Sequence, residues 1–251
     1  MIVLRMKKVT RIFAAITLIV AMACAACTKD PENGGNNNSS GGGNGGYSTY
    51  NGHEYVDLGL PSGTLWATCN VGATSSEDYG YYFAWGETEP KNDYSWSTYR
   101  YCNGSFVTFT KYCNNPTYGE NGFTDDLTTL QPEDDAAIVK WGGDWRMPTQ
   151  TEWEELINHT TNIWTTQNGV HGQLFTATNG VSLFLPAAGI GRGNGYMVVG
   201  SSGYYWSSTL FSDSTDFGRC FFFYSAGCGT PDYCYRCYGL SVRPVCSAHQ
   251  N

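Results

Sequence analysis

The alternation of apolar and polar residues divides this chain into short pieces. His53 to Leu60 alternates well enough to predict a strand, entered through the tight-turn signal Asn51-Gly52. Pro61-Ser62-Gly63 turns the chain, and Thr64 to Cys69 reads as a second strand. Asp78 to Trp85, rich in Tyr and Phe, is a third. Glu87 to Asn121 mixes aromatics with turn residues and keeps no period, which predicts a long surface excursion. Two helical signals follow. Pro132 and the acids Glu133, Asp134 and Asp135 suit a first helical turn, where proline is tolerated and negative charge favours the dipole. Ala136 to Val139 is its apolar stretch, and Gly142-Gly143 stops it. Thr149-Gln150-Thr151-Glu152 fits a capping box, in which Thr and Glu each satisfy an orphan amide. Trp153, Leu156 and Ile157 then share one face at i, i+3 and i+4. After His159 the pattern returns to strands at Gln173 to Ala177, Val181 to Leu185, Tyr196 to Val199, Tyr204 to Thr209, Gly218 to Tyr224 and Leu240 to Val245. Two short helices in an otherwise stranded, Gly-rich chain predict an α+β fold.

One stretch departs from this regularity. Between Tyr204-Tyr205-Trp206 and the closing strand, four cysteines, many Tyr and Phe, and scattered Ser, Asp, Gly and Arg follow no single period. From Ser207 to His249 there is no Lys, Gln, Glu, Met or Trp, although these types make up roughly one residue in six between Tyr47 and Trp206. Their codons all end in a purine, so a run of pyrimidine-ending codons would exclude all five together. By alternation Phe221 and Phe223 point to the core, while Cys220, Phe222 and Tyr224 point outward.

The front of the chain is of another kind. Arg5, Lys7, Lys8 and Arg11 precede an apolar run from Ile12 to Met22 that is too short to span a membrane. Cys24-Ala25-Ala26-Cys27-Thr28 follows and resembles a bacterial lipobox, which implies a lipid on Cys27, with Cys24 the alternative. Lys29-Asp30-Pro31-Glu32 resembles the surface-export signal of Bacteroidetes lipoproteins. Residues 1–26 are thus expected to be a lipoprotein signal peptide and residues 27–46 a tether. Gly34 to Gly46 has no apolar residue and would reach on the order of 20 Å as a random coil. Residues 47–251 remain, enough for one domain with its own core.

Charge narrows the partners. Without residues 1–26 the chain holds 10 basic and 22 acidic residues, a balance of −12. That argues against nucleic acid, and against any membrane contact except through the N-terminal lipid. Eight cysteines remain beyond Cys27, and an even number in an exported chain permits disulfides. Cys102 and Cys113 are the most plausible local pair.

Several motifs then carry a resemblance. Tyr55-Val56-Asp57-Leu58-Gly59-Leu60-Pro61-Ser62-Gly63-Thr64-Leu65-Trp66-Ala67 resembles the start of the Fibrobacter succinogenes major paralogous domain. So do Tyr82-Phe83-Ala84-Trp85-Gly86-Glu87-Thr88, Trp145-Arg146-Met147-Pro148-Thr149, Phe184-Leu185-Pro186-Ala187-Ala188-Gly189, Tyr205-Trp206-Ser207-Ser208 and Ser241-Val242-Arg243-Pro244-Val245. The resemblance covers nearly all of Tyr47 to Val245 and implies a C-type-lectin-like fold, with small antiparallel sheets, two helices and long loops. Arg146 to Glu154 also resembles a motif of the formylglycine-generating enzymes, which share that fold. Their Arg-Gly-Gly-Ser-Trp segment and late cysteine pair are missing, so no enzyme is expected. The tail, residues 207–240, resembles the variable region of proteins diversified by retroelements, which rewrite adenines within such codons. Gly218, Phe221, Phe223 and Gly239 keep the family spacing.

Tyr, Phe, Ser, Asp, Gly and Arg together have the chemistry of an antibody paratope, with rigid aromatics for area and small polar groups for adaptable hydrogen bonds. The candidate ligand-binding residues are Phe211, Asp213, Asp216, Phe217, Arg219, Phe222, Tyr224, Asp232, Tyr233 and Tyr235. No cofactor, metal or catalytic residue is expected. In Glu89-Pro90-Lys91 an ammonium stands where a lectin calcium site needs an oxygen ligand. Cys234 and Cys237 have no supporting His for zinc. His53, His159, His171 and His249 share no motif spacing. The expected function is a ligand-binding lipoprotein on the outer membrane, facing the exterior. Its partner is a protein or glycan on another cell, a phage or a host surface. The alternatives are a structural or adhesive envelope domain without diversification and, further off, an oxidase of the formylglycine-generating type.

Overall fold

The computed structural model describes residues 47–229 and 232–247. The expected signal peptide, both lipidation candidates, the expected tether and His249 lie outside the described residues. Among the described residues fifteen strands and two α-helices follow one another, with three short 3-10 turns between them. They are β1 (Ser48–Tyr50), β2 (His53–Val56), β3 (Thr64–Ala67), β4 (Tyr82–Phe83), α1 (Ala136–Trp141), α2 (Gln150–His159), β5 (Thr160–Gln167), β6 (Val170–Ala177) and β7 (Ser182–Pro186). Next come β8 (Ile190–Arg192), β9 (Gly195–Met197), β10 (Ser202–Leu210), β11 (Phe217–Tyr224), β12 (Gly227–Cys228), β13 (Asp232–Tyr235), β14 (Leu240–Ser241) and β15 (Val245–Ser247). The architecture is mixed, with small and mostly antiparallel sheets beside two helices, as an α+β fold requires. Among the described residues no helix is long and apolar enough to cross a membrane.

The central sheet runs β12-β11-β10-β14-β4, and β13 also pairs with β11. Its middle, where β10 and β11 pair, is buried on both faces. On one face α2 lays Trp153 flat on Phe221, with ring centroids 4.7 Å apart, and Trp66 packs against Trp153. Tyr205, Phe223 and Leu156 complete that core. On the other face Trp85, Trp206, Phe109, Tyr112 and Cys220 form a second core. Alternation therefore places Phe221 and Phe223 inward as expected. It misplaces Cys220, which is fully buried in the second core instead of facing solvent.

That second core also overturns the reading of residues 87–121 as a surface excursion. The segment is irregular, but Tyr94, Tyr99, Phe109, Tyr112 and Cys113 are buried. It has no period because its aromatics dip into the core singly from turns, not from one face of an element. Cys102 and Cys113 do not pair with each other. Each sulfur lies against a carbonyl, Cys102 against Trp96 O at 3.3 Å and Cys113 against Asn115 O at 3.2 Å.

The two helices differ in how well local signals place them. Thr149 and Glu152 form the expected capping box of α2. The first helix begins later than expected. Pro132–Asp134 is a separate 3-10 turn, and Asp135 is the N-cap of α1, accepting from the amides of Ala137 and Ile138. The Asp135 backbone is extended, with φ −91° and ψ 114°, so it stands outside the helix, and its carboxylate also accepts from Met147 N at 2.8 Å.

The last strands close the first sheet. β15 pairs antiparallel with β3, Val245 opposite Trp66, to give the order β1-β2-β3-β15. Arg243 holds this junction, donating to Ala67 O and Thr68 O, 176 and 175 residues away. The expected single strand from Leu240 to Val245 is accordingly split at Arg243-Pro244 into β14 and β15, which belong to different sheets.

Candidate functional site

The site is built on β11 and β13. Their register sets Phe217 opposite Tyr235 and Arg219 opposite Tyr233. Directly opposed residues project to the same face, so these four side chains share one surface. Their rings stack in sequence. Tyr235 lies on Phe217 at 4.4 Å, Phe217 meets Tyr233 edge-on at 4.9 Å, and Tyr233 stacks on Phe211 at 4.5 Å. The Arg219 guanidinium caps the row, 4.4 Å from the Phe211 ring centre. Tyr233 is 46 % exposed and Tyr235 37 %. Five of the ten candidate residues thus form one continuous aromatic row.

The others lie elsewhere. Phe222 and Tyr224 have the opposite parity on β11 and stack with each other, and Phe222 also meets the tilted ring of Tyr204. Asp213 is exposed on the turn before β11. Asp216 is buried and takes a hydrogen bond from the Ser214 hydroxyl. Asp232 opens β13 and pairs by register with Cys220.

Next to the row the surface sinks into a cleft of about 670 Å³, lined among others by Tyr94, Trp96, Phe106, Arg192, Asp216, Tyr235 and Tyr238. Tyr235 bridges row and cleft, because its ring also meets Trp96 at 5.9 Å. Trp96, Phe106 and Arg192 carry no local signal of this. They come from the irregular segment and from β8, far along the chain, and only the tertiary fold brings them to the tail.

Beneath the site lies Arg236, whose burial is complete. Its Nε donates to the Tyr99 hydroxyl at 2.9 Å. Nη1 donates to Tyr112 O and Thr215 O at 3.1 Å each, and Nη2 to Lys111 O at 3.0 Å. Phe109 and Trp85 present their rings to it at 4.5 and 5.0 Å. Among the described residues no carboxylate pairs with it, so carbonyl dipoles and ring faces carry the charge. Burial raises the Tyr99 hydroxyl far above its ordinary pKa, which keeps it neutral. Burial also pushes the Cys237 thiol up to about 12, so at neutral pH it is not a thiolate nucleophile.

Among the described residues no three His, Cys, Asp or Glu side chains converge in metal-binding geometry. Lys91 of the Glu-Pro-Lys segment pairs instead with Glu87 at 2.8 Å. The chemistry this surface offers is contact: flat apolar rings, phenol hydroxyls and the half-buried Arg219 guanidinium.

Gly218 sets the depth of the platform. A Cβ there would meet the buried Trp85 indole at 2.7 Å. Gly218→Ala should therefore destabilise by about 1–3 kcal/mol, the range for overpacking. A thermal midpoint equal to that of the unaltered protein would show that the indole yields freely.

No known family model matches the chain, and neither a curated protein nor a solved structure matches it.

Proposed function

We propose that this protein is a lipid-anchored receptor of the outer-membrane surface with a C-type-lectin-like domain. It binds a protein or glycan on another cell, a phage or a host surface through its tail. The observation that carries the reading is the aromatic row Phe211, Phe217, Tyr233 and Tyr235 with Arg219, all drawn from the stretch whose composition departs from the rest. Aromatic rings held in mutual contact lose little entropy on binding, which suits an interface. The row rests on a scaffold of fixed packing, so its surface residues can change while Gly218 and Arg236 stay. The compositional bias of residues 207–240 supports diversification by a retroelement. The mixed architecture of small antiparallel sheets and two helices is compatible with the lectin-like fold.

The test uses a glycan array together with a panel of intact cells and phage particles to find a ligand for the unaltered domain. The variant Phe211→Ala/Phe217→Ala/Tyr233→Ala/Tyr235→Ala is then measured on that ligand. Interface aromatics are typically worth about 2 kcal/mol or more each, so affinity should fall at least about a hundredfold with the circular dichroism spectrum unchanged. Undiminished binding by the folded variant would place the ligand site elsewhere.

A further inference from the structure

The two cysteines that join β11 to β13 lie in contact. Cys220 and Cys234 sit one diagonal apart in the register, since Cys220 faces Asp232 and Cys234 faces Gly218. Both are buried, and their sulfurs are 3.0 Å apart. The link they can form is cross-strand. It would tie β13, which reaches the sheet only through β11, to the strand that carries the other half of the aromatic row.

We infer that Cys220 and Cys234 form a disulfide in the mature protein and that this bond fixes the β11–β13 platform. The inference rests on the geometry of the pair; only the oxidising compartment that forms the bond is taken from the proposed function. Two thiols lose two protons and two electrons, and one S–S bond forms. The electrons reduce the disulfide of an exchange partner, an oxidised dithiol protein or a low-molecular-weight disulfide, to two thiols. Cross-linking the two positions closes a short loop and restricts the unfolded chain, so the oxidised form is the more stable. Cys228 lies in that loop, on β12, and burial raises its thiol pKa, which slows its attack on the bond as a competing thiolate.

The experiment takes the secreted, folded domain, equilibrates it with oxidised glutathione, blocks remaining thiols and maps peptides without reductant. A protease specific for aromatic residues cuts between the two positions. The expected product is a Cys220 peptide joined to a Cys234 peptide, lighter by two hydrogens than the pair and separated by reductant. Reduction should also raise the unfolding equilibrium constant by about a hundredfold. Alkylated Cys220 and Cys234, or either one joined to Cys228 or Cys237, would overturn the assignment. The map involves no ligand, so its failure leaves the binding test standing, and failure of the binding test leaves the map standing.

Discussion

Arg236→Ala loses about 3–5 kcal/mol of stability. The substitution removes the donors that satisfy Lys111 O, Tyr112 O and Thr215 O, and it empties a space walled by Phe109 and Trp85. Each carbonyl left buried without a donor carries its own desolvation cost. Lysine should not rescue. A compact ammonium on a flexible stem cannot reproduce a planar fork that reaches acceptors on three separate segments. Urea denaturation reads the result as a lower midpoint at unchanged slope. A loss under about 1 kcal/mol would mean that water takes over the carbonyls. Tyr233→Ala, three residues away and exposed, should stay within about 1 kcal/mol. The contrast has a genetic reading: if the tail is rewritten, Arg236 should be constant among its versions while Tyr233 varies.

Glu152→Ala should cost a similar 3–5 kcal/mol, for a different reason. Glu152 receives both Arg146 nitrogens at 2.7 and 2.6 Å, the Thr149 amide at 2.8 Å and hydroxyl at 2.9 Å, and the Thr64 hydroxyl at 3.1 Å. Its loss removes the reciprocal half of the α2 capping box, unpins β3 from that helix and leaves Arg146 without its carboxylate. The pH dependence follows the same groups. Burial pushes the Glu152 carboxyl up, but the hydrogen bonds and charge of Arg146 and the Thr149 contacts outweigh it, leaving the pKa below the ordinary value. A depressed folded pKa adds stability that is complete above the unfolded value, about 4.3, and is lost as pH falls through the folded one. Asp134 is depressed in the same sense by Lys111, Tyr101 and Tyr112, against burial. Thermal midpoints should therefore fall steeply below about pH 4, and less steeply in the alanine variant. Parallel slopes for the two proteins would remove Glu152 from the acid response.

The sequence was most legible where a structural device is local. The capping box needs only Thr149 and Glu152, three residues apart, and both were in plain view. Phe221 and Phe223 follow from alternation, because α2 covers their face. Cys220 and the segment from Glu87 to Asn121 were illegible, because what buries them is a second core assembled from distant turns. Pro132 was misread for a subtler reason. Proline and three acids mark a helix start in general, yet Asp135 also serves the Met147 amide and so becomes the cap itself. In the candidate site, five of the ten residues meet in one row and Phe222 and Tyr224 go to another face. Parity along β11 contains that division. The pairing with β13 does not show in any local pattern, since Asp232 to Tyr235 is short and follows a turn-rich loop. Trp96 and Arg192 belong to the cleft only by topology.

The pairing of β15 with β3 sets an order of events. While the chain is being made, residues 53–67 leave the ribosome early, and their sheet neighbour is not synthesised until the end. Trp66 and Val245 lie in the same core, so neither half can shield its apolar side chains without the other. Central strands β10 and β11 also arrive late, although the aromatics of both cores depend on them. A partly made chain can pair the local sheet β5-β6-β7 but can complete neither core. Closure of the two cores depends on contacts far apart in the chain and is correspondingly slow. Until that step the aromatic segments of both cores stay unshielded from one another.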